Sequence, residues 1–429
     1  MSEIQSRSLL QRWITIISLI IAGEAIFALP YHLTRFFRPT VLDVFDLTAT
    51  QLGVAQGAYG VIAMIAYFFG GPLADRFPAH KLIAWSLWAT AIGGIYLSTF
   101  PGYYGVMFIW GFFGFTTIFL FWAALIKATR AWGGINQQGQ AYGLLDGGRG
   151  LLAAVLASVG VWIFATTFPD GYSTASTVEK REVLKLVIYG YTIVTAFTGF
   201  LAWYALRNLQ DKPDRARANL FENFWQVFRI RAVWLQTVVI VCAYTSFKAF
   251  DQFGLFAVRG HGIDEIDAAQ IVAIGAWTRP IAALLIGLLG DRFGITRMTF
   301  ICFLLLIASH GWFALTGATF GTLTIILMNT LVTCIAIYGL RGLYFAMFQE
   351  GQVPLALTGT AVGIVSVLGY TPDIYFAAVA GFLIDSNPGL LGFQHMFMLL
   401  VAFTILGALA ALIFERTCRS ATLRNRNTT

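Results

Sequence analysis

The sequence predicts an all-α membrane protein whose twelve transmembrane helices form two pseudo-symmetric halves of six helices. Of its 429 residues, 58% are hydrophobic and 11% are charged, whereas soluble domains carry about 25% charged residues. One short motif occurs twice, as Gly-Pro-Leu-Ala-Asp-Arg at 71–76 and as Gly-Leu-Leu-Gly-Asp-Arg at 287–292. The two aspartates are 291 − 75 = 216 residues apart, about half the chain. The composition therefore predicts the membrane class, and the repeat predicts a duplicated architecture.

Twelve apolar runs approach the length of about 20 residues that a helix needs to cross a bilayer. The first run extends from Trp13 to Pro30 without a small-residue cleavage site, so we expect a spanning helix and not a cleaved signal peptide. The predicted spans are 13–36, 51–74, 82–100, 104–129, 139–167, 184–206, 232–258, 268–290, 298–317, 321–347, 355–384 and 391–414.

Charged segments separate many of these spans, and their signs alternate. In the first half, acidic residues at 43–46 follow span one, and basic residues at 76–81 and 127–130 follow spans two and four. Mixed charges at 170–182 follow span five. Because cytoplasmic loops are rich in Lys and Arg, the first half is oriented with its N-terminus in the cytoplasm.

The second half repeats this alternation. The basic segment 207–231 precedes span seven, acidic residues at 264–267 follow it, and basic residues lie at 292–297 and 416–426. We therefore expect an inner-membrane, multi-pass protein with both termini cytoplasmic. The predicted domains are an N-terminal half (1–207), a basic cytoplasmic linker (208–231) and a C-terminal half with a short basic tail (232–429).

A second repeat supports the duplication. Gln-Gln-Gly-Gln at 137–140 precedes span five, and Gln-Glu-Gly-Gln at 349–352 precedes span eleven, at an offset of 351 − 139 = 212. The two offsets are nearly equal, which indicates two parallel repeats of six helices.

The twelve spans, the basic linker and the paired motifs resemble the major facilitator superfamily over essentially the whole chain. The first motif departs from the usual pattern, since Pro78 stands where Gly is common. The resemblance implies that the motif residues are gating residues that latch the outward-open state. These residues are Gly71, Asp75, Arg76, Gly287, Asp291 and Arg292. We also expect Gly71 and Gly287 to permit close helix approach.

Residues 31–36 (Tyr-His-Leu-Thr-Arg-Phe) and 359–370 resemble the organophosphate:phosphate antiporter branch of that family. The resemblance implies that Arg35 is an anion-binding residue of the cavity. A second Arg of the branch lies in helix seven, where this chain has Lys248, shifted by about one residue. Lys lacks the bidentate fork of Arg, so an anion is indicated more than phosphate in particular.

Ionisable residues inside spans are costly and default to functional candidates. The candidate substrate ligands are Arg35, Arg149, Lys248, Arg279, Tyr31 and His32, because guanidinium groups suit carboxylate, phosphate or sulfonate. The proton-coupling candidates are Glu24, Asp373, Asp146 and Asp251, with Glu24 and Asp373 expected to lack a committed partner. Arg341 is expected to snorkel to the cytoplasmic interface.

A purely structural interpretation stays open for several of these charges. Asp146 and Arg149 are i,i+3 neighbours, as are Lys248 and Asp251, so each pair is a candidate for mutual neutralisation. His32 is also a candidate for a simple hydrogen-bonded packing residue.

The sequence therefore predicts a secondary active transporter of a small organic anion, working by exchange or by proton symport. A sugar:proton symporter and a non-transporting membrane sensor of the same fold remain alternatives. An enzyme has no support, because the chain shows no nucleophile–base constellation, phosphate loop or metal-spaced cluster. We expect no cofactor, no metal and no nucleic-acid partner. We expect the protein to be a monomer. Its expected partners are a small anionic substrate, a coupled proton or counter-transported anion, and the lipid bilayer.

Overall fold

The computed structural model describes residues 9–133, 138–168, 175–207, 209, 225–316, 323–353 and 358–426. It has a helix at each of the twelve predicted spans. We number them α1 (Leu9–Phe36), α2 (Ala49–Arg76), α3 (Ala79–Leu97), α4 (Tyr103–Gly133), α5 (Gln138–Thr167), α6 (Thr177–Ala205), α7 (Arg231–Gly260), α8 (Glu265–Phe293), α9 (Ile295–Leu315), α10 (Leu323–Leu343), α11 (Thr358–Gly369 and Pro372–Ser386) and α12 (Leu390–Arg426).

Eleven helices in the described part of the chain are long and apolar enough to cross a membrane. The remaining helix, α3, has 19 residues, and His80 and Lys81 in its first turn lower its hydropathy. Large apolar side chains are exposed along the outer faces, as with Phe197 (70% exposed) and Leu284 (64% exposed). Such faces are stable only against lipid, so the protein is an all-α, multi-pass membrane protein. Of the predicted linker, only Leu209 and residues 225–231 are described.

Irregular turns interrupt α1, α4 and α7, in addition to the break within α11. Within α1, a π-helical turn spans Ala28–His32 and contains Pro30, whose missing N–H interrupts the regular hydrogen-bond ladder. In α4 a π-helical segment spans Phe115–Trp122, and in α7 a 3₁₀ turn spans Phe250–Gln252. Irregular turns of this kind are frequent at functional sites because they change the direction of side chains.

The two halves meet most closely where α2 lies against α11. A Cβ atom on Gly53 would come within 2.2 Å of the Ala377 carbonyl oxygen, and one on Gly60 within 2.6 Å of the Asp373 backbone. Only glycine permits this approach of two helix backbones. A second contact between the halves runs along α5 and α8.

Further contacts join the halves at the end of the molecule opposite the start of α1 and the end of α12, which we call the distal end. It contains the start of α2, α6 and α8, the end of α11 and the short helix Arg38–Phe45. The Asp385 carboxylate of α11 accepts hydrogen bonds from the backbone N–H groups of Ala49 (3.2 Å) and Thr50 (2.6 Å) at the start of α2. Glu265 of α8 accepts a hydrogen bond from Thr40 at 2.9 Å. The halves are thus closed against each other at the distal end.

Candidate functional site

A cavity with a volume of about 120 Å³ lies between the two halves. Four helices of the first half (α1, α2, α4 and α5) and the four equivalent helices of the second half (α7, α8, α10 and α11) form its walls. The first half contributes Glu24, Phe27, Tyr31, His32, Arg35, Tyr59, Ala63, Tyr67, Ile118, Trp122 and Arg149, and the second half contributes Tyr244, Phe247, Lys248, Arg279, Arg341, Tyr370 and Asp373.

Glu24 is the centre of one cluster of charges in this cavity. It is 3% exposed, and its two carboxylate oxygens face different partners. One oxygen lies 2.9 Å from His32 Nε2 and 3.9 Å from an Arg279 nitrogen, and the other accepts a hydrogen bond from Arg149 Nε at 3.1 Å. Arg149 belongs to the first half and Arg279 to the second. A single buried carboxylate therefore bridges cations of both halves.

Two glycines make room for these arginines. The side chain of Arg149 passes Gly23, where a Cβ atom would lie 3.0 Å from the arginine Cδ, and Arg149 Nε donates to the Gly23 carbonyl at 2.9 Å. Likewise, a Cβ atom on Gly150 would lie 3.1 Å from Arg279 Cδ.

Arg35 and Lys248 form a second cluster with two aspartates. Arg35 Nε lies 2.5 Å from Asp251 Oδ1, and Lys248 Nζ lies 3.2 Å from both Asp251 Oδ2 and Asp373 Oδ1. The other oxygen of Asp373 accepts a hydrogen bond from the Tyr244 hydroxyl at 2.9 Å. Because buried charges are costly unless paired, this chain of contacts stabilises all four ionised groups together.

The contacts between α1 and α7 are crossed. The Arg35 guanidinium of α1 lies over the Phe247 ring of α7 at 4.8 Å, and the Lys248 ammonium of α7 lies over the Tyr31 ring of α1 at 4.4 Å. Tyr31 and Phe247 are 247 − 31 = 216 positions apart, the offset of the repeated motif. The two helices therefore present equivalent aromatic positions to each other's cations, which is a cation–π arrangement.

All six residues that the sequence marks as candidate substrate ligands line the cavity: Tyr31, His32, Arg35, Arg149, Lys248 and Arg279. Of the four carboxylates proposed for proton coupling, Glu24 and Asp373 line it. Asp146 and Asp251 reach the same charge clusters through Arg279 (2.9 Å) and Arg35.

Two expectations about the partners of these charges are wrong, and one of the pairings left open does not form. Glu24 and Asp373 do not lack partners, because both are in ion pairs. The i,i+3 neighbours Asp146 and Arg149 pair with other residues: Arg149 with Glu24, and Asp146 with Arg279. These partners lie on other helices, which local spacing does not reveal. The Lys248–Asp251 pair does form.

The prediction for the side chain of Arg341 is also wrong. Arg341 lies in the last turn of α10, close to the expected membrane boundary, and this position favours a snorkelling side chain. Instead the side chain lines the cavity, with its guanidinium 4.3 Å from the centre of the Phe247 ring. Phe247 therefore contacts two guanidinium groups, those of Arg35 and Arg341.

The gating candidates lie away from the cavity. Arg76, Asp291 and Arg292 are exposed, while Gly71 and the side chain of Asp75 lie outside what the structure describes. The expected close approach at Gly287 is wrong, because a Cβ atom there would meet nothing within 4 Å. The tight glycine of the second motif is Gly290, where a Cβ atom would lie 2.6 Å from the Leu343 side chain.

The residues around the motif have a capping role. Lys127 Nζ donates a hydrogen bond to the Ala74 carbonyl near the end of α2 at 2.8 Å. In the second half, the Glu350 carboxylate accepts hydrogen bonds from the N–H groups of Ile295 (2.8 Å) and Thr296 (3.0 Å) at the start of α9. Negative charge at a helix N-terminus is favourable. Glu350, which belongs to the repeated segment 349–352, therefore stabilises the start of α9 directly after the motif at 287–292.

Two six-helix halves around a central cavity that holds ionisable residues are typical of membrane transporters. Comparison with known proteins gives the family. The chain belongs to the Major Facilitator Superfamily, whose model matches residues 13–374. The family and the fold point to a transporter rather than to an enzyme.

Individual relatives are distant but cover most of the chain. The chain is 24% identical to the inner membrane protein YihN of Escherichia coli over 422 residues, covering 95% of this chain and 96% of the relative. It is 24% identical to the probable nitrate/nitrite antiporter NarK1 of Thermus thermophilus over 273 residues, covering 62% and 59% of the two chains. The chain is therefore a multi-pass inner membrane protein.

The fold is also that of solved transporters. A crystal structure of a bacterial homolog of the human lysosomal transporter Spinster, inward-facing and unoccupied, aligns with a TM-score of 0.76 and 16% identity. The alignment covers 96% of this chain and 99% of the other.

Proposed function

We propose that the protein is a secondary active transporter of a small organic anion, which carries a phosphate, sulfonate or carboxylate group. It moves this anion across the inner membrane by alternating access, with both termini in the cytoplasm. The observation that carries the proposal is the convergence of five basic side chains from both halves on one small cavity. They are Arg35 and Arg149 of the first half and Lys248, Arg279 and Arg341 of the second half.

The charge balance supports an anion. The described carboxylates within ion-pair distance of these cations are four: Glu24, Asp146, Asp251 and Asp373. Five arginine and lysine side chains against four carboxylates leave the site with one basic side chain in excess. Four of the five cations are Arg, which stays charged when buried and binds oxyanions through its planar fork. NarK1, by its name, is a probable antiporter of nitrate and nitrite, which are anions.

Alternating access follows from where the cations lie. An anion held by Arg149 and by Arg279 ties the two halves together, so a loaded carrier can rock as a unit. In the empty carrier the Glu24 carboxylate, bridging the same two arginines, takes the place of the substrate's negative charge. Exchange therefore requires that the substrate displaces Glu24 from the arginines.

Proton symport uses the same groups in another way. Protonation of Glu24 removes its charge from Arg149 and Arg279 and frees both for an anion. Asp373, which shares Lys248 with Asp251, is the second candidate for such a step. Exchange and proton symport differ in whether a proton gradient accelerates uptake of the anion.

A thermal-shift panel on the purified protein in detergent tests the proposal. The panel contains phosphate, organophosphates, sulfonates, mono- and dicarboxylates, neutral sugars and organic cations. A ligand at 100 times its Kd stabilises the folded state by about 2.7 kcal/mol. We expect one class of anion to stabilise the wild type, and we expect this stabilisation to be lost in Arg149→Ala and kept in the exposed control Arg229→Gln. Stabilisation by neutral sugars or cations alone would refute an anion transporter.

A further inference from the structure

Arg341 differs from the other four cations of the cavity. Arg35, Arg149, Lys248 and Arg279 each have a carboxylate oxygen within 4.0 Å. Among the described residues Arg341 has neither an ion pair nor a hydrogen bond, and its guanidinium rests on the Phe247 ring at 4.3 Å. Arg341 is thus the cavity cation without a carboxylate oxygen at ion-pair distance among the described residues, and its partly buried side chain faces the cavity.

Tyrosine side chains form the wall beside this cation. Tyr67, Tyr244 and Tyr370 line the cavity, and the rings of Tyr244 and Tyr370 lie 4.7 Å apart. Tyr370 and Tyr344 have their hydroxyls 3.4 Å apart. Tyr344, Tyr370 and Tyr244, and also the Asp146 carboxylate of α5, are close enough to interact electrostatically with the Arg341 guanidinium, although Asp146 forms its ion pair with Arg279. Phenolic hydroxyls both donate and accept hydrogen bonds, so this wall is suited to neutral hydroxyl groups.

We propose that Arg341 anchors the charged group of the substrate and that the substrate is a small hydroxylated organic anion. This inference rests on the proposed anion transport and adds the substrate class and the anchoring residue. The guanidinium, held over the Phe247 ring, presents its free N–H groups to an oxyanion. The hydroxyl groups of the substrate bind Tyr67, Tyr244 and Tyr370. A site with polar groups placed for a hydroxyl discriminates strongly against an analogue that lacks it.

One experiment tests the charge of Arg341 without knowledge of the substrate. A cysteine is placed in the cavity wall by Trp122→Cys in a Cys418→Ser background, where the remaining cysteines are buried. Its rates of modification by an anionic and a cationic methanethiosulfonate are compared. We expect Arg341→Gln to lower the anionic-to-cationic rate ratio several-fold and Arg229→Gln, a change at an exposed residue before α7, to leave it unchanged. An unchanged ratio in Arg341→Gln overturns the proposal.

A second experiment tests the substrate class by thermal shift. Two matched sets are used: glycerate, propionate and glycerol, and gluconate, hexanoate and sorbitol. In at least one set, we expect the hydroxylated acid to raise the melting temperature of the wild type more than the plain acid or the neutral polyol does. Arg341→Gln is expected to lose this response, Arg341→Lys to keep part of it, and Tyr370→Phe to reduce the preference for the hydroxylated acid.

The outcomes separate this inference from the function on which it rests. If anions stabilise wild type and Arg341→Gln equally, anion transport stands and the anchor is wrong. If plain and hydroxylated acids act alike, the substrate class is wrong. If none of the acids in the two sets stabilises the wild type, the substrate class is likewise overturned. If only neutral polyols stabilise wild type, both the function and the inference fall.

Discussion

Arg35 and Asp251 are 216 positions apart, the offset of the repeated motif, and they form a buried ion pair at 2.5 Å between the two halves. Equivalent positions of α1 and α7 thus carry opposite charges and bind each other. Since each residue belongs to a different half, any separation of the halves at this level must break the pair. A substrate anion that competes for Arg35, or for Lys248 beside it, changes the free energy of that separation.

The charge balance of this cluster predicts a non-additive effect of mutation. In Arg35→Ala, Lys248 alone faces two carboxylates, Asp251 and Asp373. Breaking a buried pair in this way costs about 3–5 kcal/mol. The double variant Arg35→Ala with Asp251→Ala restores one cation to one carboxylate, so we expect its melting temperature to lie above that of Arg35→Ala. A double variant that is less stable by the sum of both single effects would contradict the coupling.

The glycines between α2 and α11 predict a conformational effect. Gly53→Ala places a Cβ atom 2.2 Å from the Ala377 carbonyl oxygen, so the helix backbones must move apart. We expect a wider distal end, measured by pulsed electron–electron resonance between spin labels at Asp46→Cys and Pro388→Cys. Gly190→Ala is the matched control, because its Cβ atom meets nothing within 4 Å. Equal distance distributions in Gly53→Ala and wild type would show that the contact does not close this end.

We expect substitution of Asp385 to open the distal end less than Gly53→Ala does. The Asp385 carboxylate caps α2 across the two halves, with hydrogen bonds to Ala49 N, Thr50 N and Thr50 Oγ1. Loss of an N-cap costs about 0.5–2 kcal/mol, and about 1.4 kcal/mol is tenfold in an equilibrium constant. The same spin labels should therefore report a larger open population in Asp385→Ala. Glu182→Ala, an exposed carboxylate at the start of α6, is the control and should leave the populations unchanged.

We expect substitution of Glu24 to increase the affinity of the cavity for an anion. Glu24→Gln keeps a hydrogen-bonding side chain but removes the charge that occupies Arg149 and Arg279. We expect tighter binding of the anion found in the panel, measured by calorimetry. In proton symport the affinity of the variant also becomes independent of pH, whereas wild type binds more tightly as pH falls. Weaker anion binding in Glu24→Gln would mean that this carboxylate holds the arginines in place and does not compete with the substrate.

The sequence predicts the helices well because each span must satisfy its backbone hydrogen bonds internally and face lipid. The position of Arg35, Arg149, Lys248 and Arg279 on cavity helices also follows from the sequence, through family resemblance. The partners of these charges do not follow. Arg149 pairs with Glu24, 125 residues away, and Asp146 pairs with Arg279, 133 residues away. Local i,i+3 spacing favours a different pairing.

Arg341 shows a second limit of the sequence. Its place near a helix end favours a side chain that extends toward the interface, whereas the structure turns it back into the cavity. The deciding contact is the face of Phe247 on α7, which becomes visible only when α7 and α10 are packed together. The tyrosines beside it are likewise scattered over α2, α7 and α11, and their spacing along the chain carries no signal.

Transport by the reconstituted protein tests the central claim most directly. Proteoliposomes are given the labelled anion that the thermal-shift panel identifies, with and without a proton gradient and with and without unlabelled anion inside. We predict saturable uptake that a proton gradient or unlabelled anion inside accelerates. We expect this uptake to be lost in Arg35→Ala and Arg149→Ala and to persist in the exposed control Arg229→Gln. Uptake at the wild-type rate in both alanine variants, or uptake confined to neutral sugars or cations, would contradict transport of an anion by these arginines.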